Sequence, residues 1–221
     1  MKRVALLTVA FIALFCASSA FGITVYSNPY DPNSTVAHSS IYYLPQDELI
    51  HQCFADYLWE DQFYMTDFHW WGASHGAMEG FTFQVWSHDA ASGLPSGLLY
   101  EEYFAGNAGE TYVDDNQGGI YEYGIDLSTA FMPAGPGPVW FSVFAHSDYN
   151  WFWAEGDGTV FNEDWQHQNM DTPDDYWDHP ATLDGTDFAY EITSGDPIPE
   201  PATMVLVGLG LLGLAARRRK K

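Results

Sequence analysis

Polar and apolar residues alternate with a period of two along much of this chain, and helical periodicity is weak throughout. Phe81-Thr82-Phe83-Gln84-Val85 puts its apolar residues on one side, as a half-buried strand does, and Trp86 follows ahead of the turn residues Ser87-His88-Asp89. Tyr121-Glu122-Tyr123-Gly124-Ile125-Asp126 alternates in the same way. Val139-Trp140-Phe141-Ser142-Val143-Phe144 is apolar at nearly every position, the pattern of a central strand covered on both faces. Asp187-Phe188-Ala189-Tyr190-Glu191-Ile192 predicts a last strand. Strong breakers separate these runs: Gly93-Leu94-Pro95-Ser96-Gly97, Gly118-Gly119 and Pro133-Ala134-Gly135-Pro136-Gly137-Pro138. Short aromatic-rich strands between Gly/Pro turns predict an all-β fold, a single β-sandwich or jelly-roll-like domain.

The ends do not share this pattern. Lys2 and Arg3 precede an apolar run over 4–15, broken only by Thr8, and small residues follow at Ala17-Ser18-Ser19-Ala20. That is the layout of a secretory signal peptide, expected over 1–22, with cleavage after Ala20 or after Gly22. Cys16 follows Phe15 rather than a small residue, which argues against a lipid anchor. At the other end, Pro199-Glu200-Pro201 leads into an apolar stretch over 202–216, and Arg217, Arg218, Arg219, Lys220 and Lys221 close the chain. At 1.5 Å per residue that stretch reaches roughly 22 Å, short of the roughly 30 Å hydrocarbon core of a bilayer. The basic cluster holds its side in the cytoplasm and leaves everything before Pro199 outside. A span this short suits a transient membrane stay. The expected layout is a signal peptide at 1–22, a β-sandwich ectodomain at 23–196 and a sorting segment with a short transmembrane helix at 197–221.

Pro199, Glu200 and Pro201, the apolar helix and the Arg217-Arg218-Arg219 end together resemble the PEP-CTERM sorting signal of bacterial surface proteins. The resemblance implies processing by exosortase, a membrane protease, and passage through the inner membrane to the surface or exterior of a Gram-negative, exopolysaccharide-producing cell. Phe54-Ala55-Asp56, then Met65-Thr66-Asp67-Phe68-His69-Trp70-Trp71-Gly72, 81–86 and 93–100 resemble a β-sandwich domain common among exosortase-sorted proteins. That second resemblance rests on packing and turn residues, so it bears on fold and not on activity.

Charge narrows the chemistry. The chain holds 30 Asp and Glu against 7 Lys and Arg, for a formal net charge of −23. All the cations are terminal: between Val4 and Ala216 there is no Lys or Arg, while every carboxylate lies inside that stretch. Binding to a nucleic-acid backbone is excluded, since no cation is there to displace counterions. So is a P-loop. No H-E-x-x-H pair is present, and a site without Lys or Arg lacks the usual stabilisers of developing negative charge. The expectation is a non-enzymatic surface or matrix protein. A carbohydrate-binding module is the alternative, and a glycoside-acting hydrolase ranks behind both.

Two sets of residues are candidates for ligands. Acidic clusters at Asp114-Asp115-Asn116, at Asp157 with Glu163 and Asp164, and at Asp171, Asp174, Asp175 and Asp178 offer hard oxygen ligands for Ca²⁺, although none has EF-hand spacing. Asp174, Asp175 and Asp178 form the candidate calcium set. The nine Trp, 14 Tyr and 15 Phe suit contact with sugars. If 150–154 is extended, Trp151 and Trp153 share one face roughly 6.6 Å apart. They would form an exposed platform for a neutral extracellular polysaccharide, with Phe152 in the core. The competing outcome, which ranks ahead, is that both indoles are core. Trp70 and Trp71 are adjacent and must face opposite sides of a strand. Cys53, the one cysteine left after export, is expected to be a buried small hydrophobe.

Overall fold

The runs expected to be extended are extended, and the reason for each shows in what its faces touch. The computed structural model describes residues 23–34, 37–44, 48–60, 63–74, 76–157, 166–169, 176–178 and 187–195. In chain order the strands are β1 (Ile23–Asn28), β2 (Ala37–Ser39), β3 (Ile41–Tyr43), β4 (Glu48–Trp59), β5 (Met65–Ser74), β6 (Met78–Asp89) and β7 (Leu94–Ala105). They continue as β8 (Thr111–Asp114), β9 (Ile120–Phe131), β10 (Gly137–Ser147), β11 (Trp151–Ala154), β12 (Gln166–Asn169), β13 (Tyr176–Asp178) and β14 (Tyr190–Ser194). A 3-10 turn at Asn116–Gly118 precedes β9. Two of the expected boundaries move. The turn expected over 93–97 ends at Gly93, and Leu94 already belongs to β7, whose pairing with β6 is irregular around Trp86. The last strand starts at Tyr190, while Phe188 forms an isolated bridge with Glu155.

The strands form two seven-stranded sheets, as an all-β sandwich requires. In the first, β5 is central. One edge of it pairs with β9, which in turn carries β8; the other edge is shared end to end by β14 and β11, and these carry β1 and β2. In the second sheet the order is β13-β12-β4-β3-β10-β6-β7, with β3 wedged between β4 and β10, which pair directly beyond it. β3 runs parallel to β10, whereas β4 and β6 pair with β10, and β9, β11 and β14 with β5, in antiparallel fashion.

Ser40 is where the chain passes from one sheet to the other. Its N–H donates to the Trp151 carbonyl of the first sheet and its carbonyl accepts from Ala145 of the second. The buried hydroxyl donates to Val143 O at 2.5 Å and accepts from the Cys53 N–H at 3.2 Å. Both strands at the corner would otherwise end in unsatisfied backbone groups.

The core between the sheets is aromatic. Phe68, Trp70, Phe83, Tyr123, Phe141 and Tyr190 are fully buried, with Trp70 stacked on Tyr123 at 5.6 Å and Phe68 on Tyr190 at 5.6 Å. β10 is covered on both faces, as its uniformly apolar sequence predicts: Phe141, Val143 and Ala145 face the core, and Trp140, Ser142 and Phe144 on the opposite side are buried as well. On that opposite face Gln52 donates to Gln84 at 2.6 Å and to Ser142 at 2.9 Å, so the buried amides are satisfied by one another. Cys53 is fully buried, and burial pushes its thiol well above the ordinary range, so it behaves as a small core residue.

Candidate functional site

Trp151 and Trp153 do share one face of β11, and that face is the core. Both are 0% exposed. Phe152, expected inside, is the half-buried residue on the outer side. The platform is therefore ruled out as a surface, and its sidedness is inverted. The cause lies in the neighbouring strand. A Cβ on Gly72 would sit 2.4 Å from Trp151 Cζ2 and 2.6 Å from the Phe152 carbonyl oxygen. The missing side chain opens the room that the Trp151 indole fills. Trp153 is fixed by its N–H donating to Ala189 O at 2.9 Å and by stacking on Phe188 at 4.8 Å. Trp70 and Trp71 separate as adjacent strand residues must, Trp70 into the core and Trp71 onto the outer face.

The acidic clusters fare differently from one another. Asp174 and Asp175 lie outside the described residues, as do Glu163, Asp164 and Asp171. Asp178 lies in β13 at the register position opposite His167. Around Asp114, the oxygens are drawn together by an amide: Asn116 Nδ2 lies 2.8 Å from the Tyr30 hydroxyl, 2.8 Å from Pro32 O and 2.9 Å from Asp114 Oδ2. Among the described residues no group of three or more His, Cys, Asp or Glu side chains is placed to hold a metal ion.

The polar convergence that the fold does build is on the outer face of the first sheet. Alternation on β5 sends Asp67, His69 and Trp71 outward; on β9 it sends Glu122, Gly124 and Asp126 outward. Register places Asp67 opposite Asp126 and His69 opposite Gly124, while Glu191 of β14 lies beside His69 and Thr193 beside Asp67. The imidazole of His69 lies over Gly124, whose Cβ would stand 2.9 Å from its ring atoms, and its Nδ1 is 3.3 Å from Glu122 Oε1. The loop between β7 and β8 docks here, the Gly124 N–H donating to Ala108 O at 2.8 Å. Between loop and sheet lies a shallow cleft of about 290 Å³, lined by His69, Ala108, Thr111, Glu122, Gly124 and Asp126 among others.

Electrostatics in the cleft follow from the absence of Lys and Arg. Burial works to raise the pKa of Asp67, but hydrogen bonds from Asp126, Thr66 and Thr193 and the nearby imidazole outweigh it and hold Asp67 below the usual carboxylate value. Asp126 moves the other way, raised first by its hydrogen bond to Asp67, then by the Asp67 charge and by partial desolvation. Opposite displacements are what two carboxyls facing each other without a cation between them produce, because ionising the first disfavours ionising the second. Chemically, this face offers hydrogen-bond acceptors and an imidazole to a neutral, hydroxyl-rich molecule, and repels anions. Sequence reasoning did not single out this group. Each half is legible as the polar phase of an alternating strand, but the pairing of β5 with β9 is not.

Pro199, Glu200, Pro201, Arg217, Arg218 and Arg219 lie outside the described residues, as do 1–22. Among the described residues no helix is long and apolar enough to cross a membrane. A search of the curated proteins finds no match to the chain. Residues 197–220 match the PEP-CTERM protein-sorting motif, and the chain thus carries the signal of an exosortase-sorted, exported surface protein.

Proposed function

We propose that this is a non-enzymatic surface or matrix protein whose β-sandwich is delivered to the exterior through a membrane intermediate and cut free near Pro199-Glu200-Pro201. The observation that carries the reading is the sorting motif at 197–220 on a domain with no internal Lys or Arg. A domain so uniformly anionic cannot hold polyanions, so its extracellular partner is a neutral polysaccharide. The cleft beside His69, Glu122 and Asp126 supports this, because carboxylates accept hydrogen bonds from sugar hydroxyls without a cation.

Two measurements test the two levels of the proposal separately. Intact mass spectrometry of material from the cell surface and medium should find a chain ending near 199–201, with no trypsin site left. Recovery of the intact tail through Lys221 would overturn processing. A glycan array should give signal on neutral polysaccharides and none on sulfated or uronic ones, and turnover of any glycoside would point to the hydrolase. The mass result stands whatever the array returns.

A further inference from the structure

The ladder between β5 and β9 is regular from Ala73–Ile120 to Asp67–Asp126 and then breaks. The next pair is Met65 with Phe131, so that Thr66 alone on β5 faces residues 127–130 on β9. This wide bulge is held from the other sheet, where Glu102 of β7 accepts from the Ser128 N–H at 3.0 Å. The last regular rung before the bulge is thus a pair of carboxylates directly opposite each other.

Like charges at such positions oppose strand pairing. In most proteins a neighbouring Lys or Arg would neutralise one of them; here the sequence has none between Val4 and Ala216. The groups facing the pair can be named from each element packed on it. β5 supplies the Thr66 hydroxyl, 2.6 Å from Asp67 Oδ2, and His69. β9 supplies Glu122, engaged with His69. β14 supplies Thr193 and Glu191, the latter accepting from Thr24 of β1 at 3.0 Å. Thr111 of β8 lies opposite Glu122 and lines the same cleft as Asp126. The imidazole, in contact with Glu122, acts on both carboxyls at longer range, and the remaining titratable neighbours are acids. A proton is what is left to hold the rung.

We propose that Asp67 and Asp126 form a proton-held latch that closes the β5–β9 ladder at the bulge over 127–130, so that this seam tightens in acid and loosens as the proton is lost. The opposite displacements of the two carboxyls support it, and the sign follows from them. The raised Asp126 contributes stability at low pH that is lost as pH rises through its elevated value. The depressed Asp67 contributes stability that is lost only when pH falls through its own lowered value. Between those two points one proton is held. Above the upper one, two carboxylates face each other beside a bulge. For an exported protein, whose surroundings are not buffered by the cytoplasm, the latch makes one edge of the sandwich sensitive to external acidity.

Hydrogen exchange on the full chain in mild detergent, read at 125–131 from about pH 4, near the ordinary carboxylate value, to about pH 7.5 and corrected for intrinsic exchange, tests this. Wild type should lose protection several-fold at the higher pH, over this segment and not over β10. Asp126→Asn replaces the shared proton with a permanent amide donor and should retain protection across the range. Glu60→Gln, which removes an exposed carboxylate elsewhere, should keep the wild-type pH step and so report the general charge effect. If Asp126→Asn unfolds, Asp67→Asn makes the same comparison from the other strand. An identical pH step in wild type and both Asn variants would overturn the latch, as would a loss of protection spread evenly over the domain.

Discussion

Trp151 and Trp153 permit a sharp test of the packing, because they are alike in burial and differ in one bond. Each is 0% exposed, and the Trp153 N–H donates to Ala189 O at 2.9 Å, whereas Trp151 Nε1 has the buried Tyr123 hydroxyl as a polar neighbour without a hydrogen bond of comparable geometry. Truncation to alanine should cost roughly 3–5 kcal/mol at either position, the range for a buried aromatic removed from a close-packed core. Phenylalanine separates them. The smaller ring loses roughly two methylene equivalents of burial, about 1.5 kcal/mol in both cases. Trp153→Phe also loses a hydrogen bond, which adds about 1 kcal/mol. Trp151→Phe gives up only the weaker contact with the Tyr123 hydroxyl, so its loss stays close to the packing term. The Ala189 carbonyl keeps the Trp71 N–H at 3.4 Å, so the Trp153 loss should not grow further. The expected order is Trp151→Phe least costly, then Trp153→Phe, then either alanine. Urea unfolding followed by far-UV circular dichroism at fixed pH measures all four variants. Two results would refute the reasoning: alanine variants within about 0.5 kcal/mol of wild type, the level of ordinary surface substitutions, or Trp151→Phe costing more than Trp153→Phe.

Three further outcomes follow from named contacts. Gly72→Ala drives a methyl into the Trp151 ring and the Phe152 carbonyl and should destabilise by about 1–3 kcal/mol; a neutral result by the same urea assay would mean that β5 and β11 are further apart than described. Ser40→Ala leaves the buried Cys53 N–H without its acceptor and should cost roughly 1–3 kcal/mol, whereas Ser40→Thr, which retains the hydroxyl, should lose less unless the added methyl clashes at the corner. Added NaCl should raise the melting temperature, since folding concentrates like charges that salt screens over about 10 Å at 0.1 M; a melting temperature that falls with salt would contradict that account.

What the sequence determined by itself is whatever depends on neighbours along the chain. Period-two alternation is a local property, so the strands containing 81–85 and 121–126 were legible, and so was the two-sided burial of β10. The sorting signal was legible for the same reason, being a contiguous order of Pro-Glu-Pro, apolar run and arginines read as a linear segment. The exclusion of anionic ligands needed only the positions of the cations. Tertiary structure decided everything that turns on which strand lies beside which. In Trp151-Phe152-Trp153 both phases of the alternation are apolar, so the pattern could not say which face is core; Gly72, distant in sequence, made that choice by leaving space for an indole. Asp67 and Asp126 are each unremarkable polar residues on an amphipathic strand, and only the register of β5 on β9 sets them opposite each other. A carboxylate's charge state depends on what stands a few ångströms away. Here that neighbour is supplied by the pairing of two strands and lies far off along the chain, so the opposite displacements of the two carboxyls are a property of the folded sheet.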